Sequence, residues 1–199
     1  WNGIDWSFEN IAKSRTEKPT DAYNIERWLG AFNFSDLDMP FSLIAAVAKN
    51  NCIGLKNKLP WNIPEDLQHF KDLTLGKTCL MGQATYESIL GYLGKPLPKR
   101  KTVVVTLNEN YQAAAGVRIF HSLDKVFEEL KNEDVYVCGG ASIYRQTINR
   151  VDKLYITEVD KIVDGDVFFP EIDKIVWTES AREDHEGFSF VEYKKAITN

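Results

Sequence analysis

The sequence predicts an α/β fold, a mostly parallel sheet with helices on both faces and an antiparallel hairpin at one edge. Three observations carry this. From Pro40 onward, short apolar runs alternate with segments of helical spacing, the pattern of parallel strands joined by crossover helices. The first run, Phe41 to Ala48, is apolar in the manner of a strand buried on both faces. The tail breaks the alternation, with Ile175 to Ser180 and Phe188 to Tyr193 reading as two strands joined by the polar loop Arg182 to Gly187.

Before Pro40 the pattern differs. Residues 1–40 hold Trp1, Trp6 and Trp28 but no β-branched run able to make a central strand. Between Thr20 and Phe34, the spacing of Ile25, Trp28, Leu29 and Phe32 predicts one short amphipathic helix, capped by Thr20 or Asp21 and disturbed by Gly30. Two domains follow: an arm at 1–40 and a globular domain at 41–199. The arm either packs its aromatics on its own domain or docks a partner or a second subunit.

Within the globular part, Pro64 to Leu75 reads as a helix with Pro in its first turn. Strands are predicted at Thr78 to Met81, Thr102 to Thr106, Val117 to Phe120, Val135 to Cys138 and Lys153 to Glu158. Helices fall between them at about Ala84 to Leu90, Leu123 to Lys131 and Ser142 to Asn149.

Composition narrows the function classes. With 199 residues, 44% hydrophobic and 27% charged, the chain can bury a core without disulfide or metal. Cys52, Cys79 and Cys138 are odd in number and separated in sequence, which predicts reduced thiols in the cytoplasm. A net charge of -5 supplies no field for nucleic acid or anionic lipid. The longest apolar run, Leu43 to Ala48, is far below the roughly 20 residues a bilayer demands. No membrane association or leader segment is expected, and a start at Trp1 reads as a piece of something longer.

Open α/β sheets bind ligands at the carboxyl ends of their strands, so the loops after Ala48, Met81, Thr106 and Cys138 are the places to search. Cys138, Gly139, Gly140, Ala141 and Ser142 run from a strand through two glycines into a helix. Such a junction lets backbone approach a phosphate, or it is a plain tight turn. A second one at Met81, Gly82, Gln83, Ala84 and Thr85 suggests two ends of one dinucleotide, although no G-x-G-x-x-G fingerprint is present.

Asp66, in Pro60 to Leu67, is the acidic candidate. Either it complements a helix dipole or it is a ligand-binding carboxylate. Trp61, Pro60 and Pro64 favour the second reading, because a stiff apolar lip raises the pKa of a lone carboxyl beside it. His69, His121 and His185 lack metal-ligand spacing and read as surface or satisfied residues. Asp164, Gly165 and Asp166 form a turn too poor in acids for calcium, and no metal is expected.

These residues occur in a familiar order. Leu43 to Ala48, Ile53 and Gly54, Leu59 to Leu67 with Phe70, and Met81 and Gly82 with Thr85 and Glu87 to Ile89 come first. Leu97 to Arg100, Cys138 to Gly140 with Ile143 and Tyr144, Leu154 to Thr157, and Gly165 and Asp166 to Pro170 follow. Over Phe41 to about Lys195 the chain resembles dihydrofolate reductase. The resemblance implies an eight-stranded, mostly parallel sheet with an antiparallel C-terminal hairpin and about four flanking helices. It also implies an NADPH-dependent hydride transfer to C6 of 7,8-dihydrofolate, with protonation at N5.

By the same resemblance, Asp66 would hold the pterin through its 2-amino group and N3, supported by Thr157 through a water. Leu59 and Trp61 would exclude water within a mobile loop spanning Asn50 to Ile63. Ile44, Ala45, Leu67, Phe70, Ile89, Leu97, Cys138 and Tyr144 would line the substrate, and Arg100 would pair with its glutamate α-carboxylate. The cofactor would lie on Ala46, Ile53, Gly54, Gly82, Gln83, Ala84 and Thr85, on Thr106 and Leu107, and along Cys138, Gly139, Gly140, Ala141, Ser142, Ile143 and Tyr144. A cis peptide between Gly139 and Gly140 belongs to the same pattern.

Departures from the family cluster at the cofactor's 2′-phosphate. Gln83, Ala84, Leu107 and Ser142 are neutral where charged or polar anchors are usual. Each missing charge-assisted bond costs about 1.5–3 kcal/mol, which erodes a preference for NADPH over NADH. Gly91 to Gly94 is longer than the family's connection, and residues 1–40 have no counterpart in it. Two alternatives stand beside the reductase: a riboflavin-biosynthesis-type reductase of the same fold, and a weakened module acting as a binding or scaffold component.

Overall fold

The structure is a computed structural model and describes residues 41–196. The arm helix expected between Thr20 and Phe34 lies outside the described residues. The elements are β1 (Phe41–Ala48), β2 (Cys52–Gly54), α1 (Pro64–Thr74), β3 (Thr78–Gly82), α2 (Gln83–Leu93), β4 (Lys101–Val105) and β5 (Arg118–Phe120). They continue with α3 (Leu123–Glu129), β6 (Val135–Val137), α4 (Ala141–Thr147), β7 (Lys153–Val159), β8 (Val167–Phe168), β9 (Trp177–His185) and β10 (Phe188–Lys195).

Eight strands form one sheet in the order β5-β4-β3-β6-β1-β7-β10-β9, parallel through β7 and antiparallel at β10 and β9. The two-residue side-chain period of a strand divides the core between its faces. Leu43, Ala45 and Val47 on β1 join Leu80, Val137, Leu154 and Ile156 on one face, against Leu123 and Val126 of α3 and Ile143, Tyr144 and Ile148 at α4. On the other face Cys79, Met81 and Val104 pack with Tyr86, Ile89 and Leu90 of α2. Helices therefore cover both faces, as the alternation of the sequence predicts.

Two expectations are corrected. The segment Arg182 to His185 is strand rather than loop, and the hairpin turns tightly at Glu186 and Gly187, with Gly187 at φ +83. Apart from buried Trp177, β9 is exposed along its whole length, so an edge strand wet on both sides carries no apolar alternation to read. Ile175, expected to open that strand, is 86% exposed and lies before it. The second correction concerns β2 and β8, which pair antiparallel inside segments expected to be loop. At three and two residues they are too short to leave a periodic signal.

Candidate functional site

Asp66 sits in the first turn of α1, after a helix start at Pro64, and the helix carries its side chain inward over the carboxyl end of β7. It is 8% exposed while its neighbours Glu65 and Leu67 face outward. The Thr157 hydroxyl on β7 donates to Asp66 Oδ1 at 2.6 Å. Burial to this degree is unlike a first-turn carboxylate that merely complements the helix dipole, which would stay in water. Burial pushes the Asp66 carboxyl above the usual carboxylate range, opposed by the Thr157 bond and by the charge of His69.

β1 adjoins β7, the strand that holds Thr157. β1 pairs with β7 so that Ile44, Ala45 and Ala46 lie opposite Tyr155, Ile156 and Thr157. Tyr144 on α4 donates its hydroxyl to the Ile44 carbonyl at 2.7 Å and rests its ring on Phe169, centroids 4.9 Å apart. Its donor is spent on the fold, so a role in the site is to be a wall. Phe70, Ile89 and Leu97 are half-buried, whereas Leu59 and Leu67 are 48% and 46% exposed. The Trp61 indole Nε1 is buried and has no hydrogen-bond partner among the described residues.

At the glycine junctions, Gly82 N–H donates to the Gly139 carbonyl at 2.8 Å, which ties the end of β3 to the turn after β6. The Gly139–Gly140 peptide is cis, as the resemblance implies. Gly139 has φ +118, which favours glycine, and a Cβ on Gly140 would stand 3.0 Å from Thr85 Oγ1, a contact that the threonine would have to give way to. A Cβ on Gly82 would press on Ile143 at 3.1 Å. Beyond these turns, Thr106 Oγ1 donates to Gln83 Oε1 at 2.6 Å, and Gln83 Nε2 donates to Glu87 at 2.8 Å. Leu107 is 91% exposed, and Ala84 and Ser142 are exposed as well.

The segment Asn50 to Ile63, expected as a mobile closing loop, is anchored at several points. Asp166 accepts from Lys56 N–H at 3.1 and 3.3 Å, Ser88 donates to the Asn57 carbonyl at 2.6 Å, and Asn50 Nδ2 donates to the Val163 carbonyl at 2.9 Å. A Cβ at Gly165 would run into Cys52 Sγ and the Gly54 carbonyl, which explains glycine in the acidic turn. That turn is a clamp on Ile53 and Gly54. Among the described residues, no group of three His, Cys, Asp or Glu could hold a metal ion.

Arg100 is held in place by Nε to Thr74 Oγ1 at 3.2 Å, Nη1 to the Pro98 carbonyl at 2.8 Å and Nη2 to the Lys71 carbonyl at 3.2 Å. The remaining guanidinium N–H groups keep a fork for a carboxylate. The three cysteines are free thiols, but Cys79 and Cys138, distant in sequence, touch across β3 and the end of β6. The sequence reads His69 and His121 as surface or satisfied residues; His69 lies half-buried one helical turn beyond Asp66, and His121 is satisfied, its Nδ1 2.9 Å from the Thr106 carbonyl. The helical spacing of His69 from Asp66 was the available signal for the first, and nothing local marks the second.

Comparison with known proteins identifies the family. The dihydrofolate reductase family model matches residues 40–196. The chain is 41% identical over 176 residues to dihydrofolate reductase HdrB of Haloferax volcanii, covering 85% of this chain and 91% of that protein. It is 44% identical over 148 residues to dihydrofolate reductase type 3 of Salmonella typhimurium, covering 74% and 88%. Among solved structures, dihydrofolate reductase from Enterococcus faecalis, complexed with NADP(H) and RAB-propyl, aligns with TM-score 0.70 and 35% identity over 78% of this chain and 95% of that one. With one family model spanning the domain and relatives matched over most of their length, this chain belongs to the dihydrofolate reductase family.

Proposed function

We infer that the chain reduces 7,8-dihydrofolate to tetrahydrofolate with NADPH. The observation that carries this is the Asp66 carboxylate, buried over the strand ends and bonded by Thr157 on one oxygen. Its two oxygens accept from the pterin 2-amino group and N3–H as a bidentate pair, Oδ1 using a second lone pair beside the one taken by Thr157. The negative charge so placed raises the basicity of N5, and the proton reaches N5 by way of water. Phe70, Ile89 and Leu97 wall the ring system, and Arg100 takes the glutamate α-carboxylate with the N–H groups its scaffold leaves available. Trp61 and Leu59 close over the reacting faces and exclude water.

NADPH supplies the hydride. The residues present fit such a group: glycines at both turns, where a Cβ would press on Ile143, Tyr144 or Thr85 at 3.0–3.2 Å, a buried indole N–H with no acceptor among the described residues, and the exposed Ser142 hydroxyl. Ala46 and Ile53 would face the nicotinamide, and Gly82 to Thr85 with Gly139 to Ile143 would hold the phosphates. No cationic side chain stands at Gln83, Ala84, Leu107 or Ser142, so discrimination against NADH rests on hydrogen bonds.

Residues 1–40 are proposed as an arm outside the reductase domain, since the family match begins at residue 40. Among the described residues no helix is long and apolar enough to cross a membrane, and the three free thiols support a cytoplasmic site of action. The intact pair of Asp66 and Thr157 argues against a decayed scaffold module. The test is the initial rate of reduced-nicotinamide oxidation with dihydrofolate, with NADPH and with NADH, in wild type and Asp66→Asn. Turnover that Asp66→Asn removes supports the reading; no turnover with either cofactor sinks it.

A further inference from the structure

We propose that His69 is a positioning residue for this reduction, an imidazole one helical turn beyond Asp66 that helps to keep that carboxylate ionised in weakly acidic solution. The proposal rests on the reading of Asp66 given above. Three strands present a row of side chains in register, Thr157 on β7, Phe190 on β10 and Glu183 on β9. Helix α1 answers with two residues three positions apart. Asp66 accepts from Thr157 at 2.6 Å, and the His69 ring stacks on Phe190 with centroids 3.9 Å apart and planes 17° apart. The imidazole is thus fixed by packing, on the helix that carries the carboxylate.

The charges around the pair are defined. Asp66 faces the Thr157 hydroxyl from β7, the Tyr144 hydroxyl from α4 and His69 from its own helix. His69 faces Asp66 and Asp72 on α1, Glu183 on β9 and Glu192 on β10. His185 also approaches Phe190, edge-on at 5.0 Å, but its Nε2 pairs with Glu183 at 3.0 Å. Burial lowers the proton affinity of His69, and the four carboxylates oppose that shift. Burial raises that of Asp66, and the His69 charge opposes it. Two groups pushed toward one another in pH exchange influence as they titrate, and each must shift the other equally. When His69 is protonated the ionised form of Asp66, the one that can accept from the pterin, is favoured, so activity extends to lower pH.

The test uses the full chain in two independent readouts. The first is the pH dependence of kcat/KM for dihydrofolate in wild type, His69→Phe and His69→Gln. The phenyl ring keeps the stack on Phe190 and loses only the charge. In both variants the acidic limb should move upward by about 0.15–0.4 pH unit, as befits a charge pair three residues apart on a helix. The second readout is the NMR titration of the His69 ring in wild type and Asp66→Asn, where its pKa should fall by a similar amount. A limb that stays in place in His69→Phe, together with an unmoved ring titration in Asp66→Asn, overturns the proposal. Loss of rate in Asp66→Asn alongside those null shifts overturns the proposal alone. An undiminished rate in Asp66→Asn overturns the reading of Asp66 and the proposal with it.

Discussion

The two ends of the site solve the problem of binding a charged ligand in opposite ways. At the proposed pterin end a single carboxylate is 8% exposed and fixed by one short bond from Thr157. At the proposed cofactor-phosphate end, Gln83, Thr106, Leu107 and Ser142 are neutral, and Leu107 is 91% exposed. A charge out of water interacts strongly with whatever faces it, whereas an exposed group is screened and counts for one hydrogen bond. The difference teaches that the chemistry should hinge on one residue, while cofactor choice is spread over several weak contacts and is easy to alter.

Asp66→Asn should give the largest effect, lowering kcat/KM for dihydrofolate by about a hundredfold or more near neutral pH. The same change should stabilise the fold at pH 7. The folded chain holds the Asp66 proton more tightly than the unfolded chain, whose carboxyl titrates near 3.8. Stability from this group is therefore full below that value and is lost as pH rises through the raised folded value. Thermal melts at pH 7 and at pH 3 check this: the variant should melt higher at the first and show no gain at the second.

Thr157→Val removes the 2.6 Å bond to the ionised carboxylate. A charge-assisted bond of this kind is worth about 1.5–3 kcal/mol, so a loss of about tenfold in kcat/KM is expected, with the acidic limb of the pH profile displaced upward. Gln83→Arg tests the opposite end. It should tighten NADPH relative to NADH by about tenfold in fluorescence titrations and leave the dihydrofolate KM in place. A change of pterin affinity in that variant would break the separation of the two ends.

Glu133, remote from both ends, sharpens the contrast between buried and paired carboxylates. Arg118 grips both of its oxygens at 3.0 and 3.1 Å, Thr78 donates at 2.8 Å, and Lys101 lies 3.3 Å away. Those partners hold its carboxyl at about 2, against 4.5 for a free one. The sign is the reverse of Asp66: stability is present above about 4.5 and is lost as pH falls through about 2. Glu133→Gln should cost about 0.5–1 kcal/mol of stability at neutral pH, a modest figure because the cluster is partly solvated, and leave turnover unchanged.

Much of this was legible beforehand, for reasons that particular residues make plain. The run Phe41 to Ala48 reads as a central strand because both of its faces are buried, so the apolar signal is continuous. Asp66 stands out because Trp61, Pro60 and Pro64 make an apolar, rigid lip just before it, while Glu65 beside it turns to water. Edge strand β9 is only partly legible because nothing on it but Trp177 is buried, and β2 and β8 leave no signal because two or three residues hold no period.

The sequence by itself determined the alternation of strand and helix, the glycines at the strand ends and the carboxylate available for a heterocycle, because local pattern and backbone freedom are properties of neighbouring residues. Only the tertiary structure decided that Thr157 meets Asp66 directly, that Tyr144 is committed to the Ile44 carbonyl, that Cys79 touches Cys138 and that His69 stacks over Phe190. Each of these contacts joins residues on different strands or helices. Their distances depend on strand order and register, which emerge when the whole sheet packs and which no local window encodes.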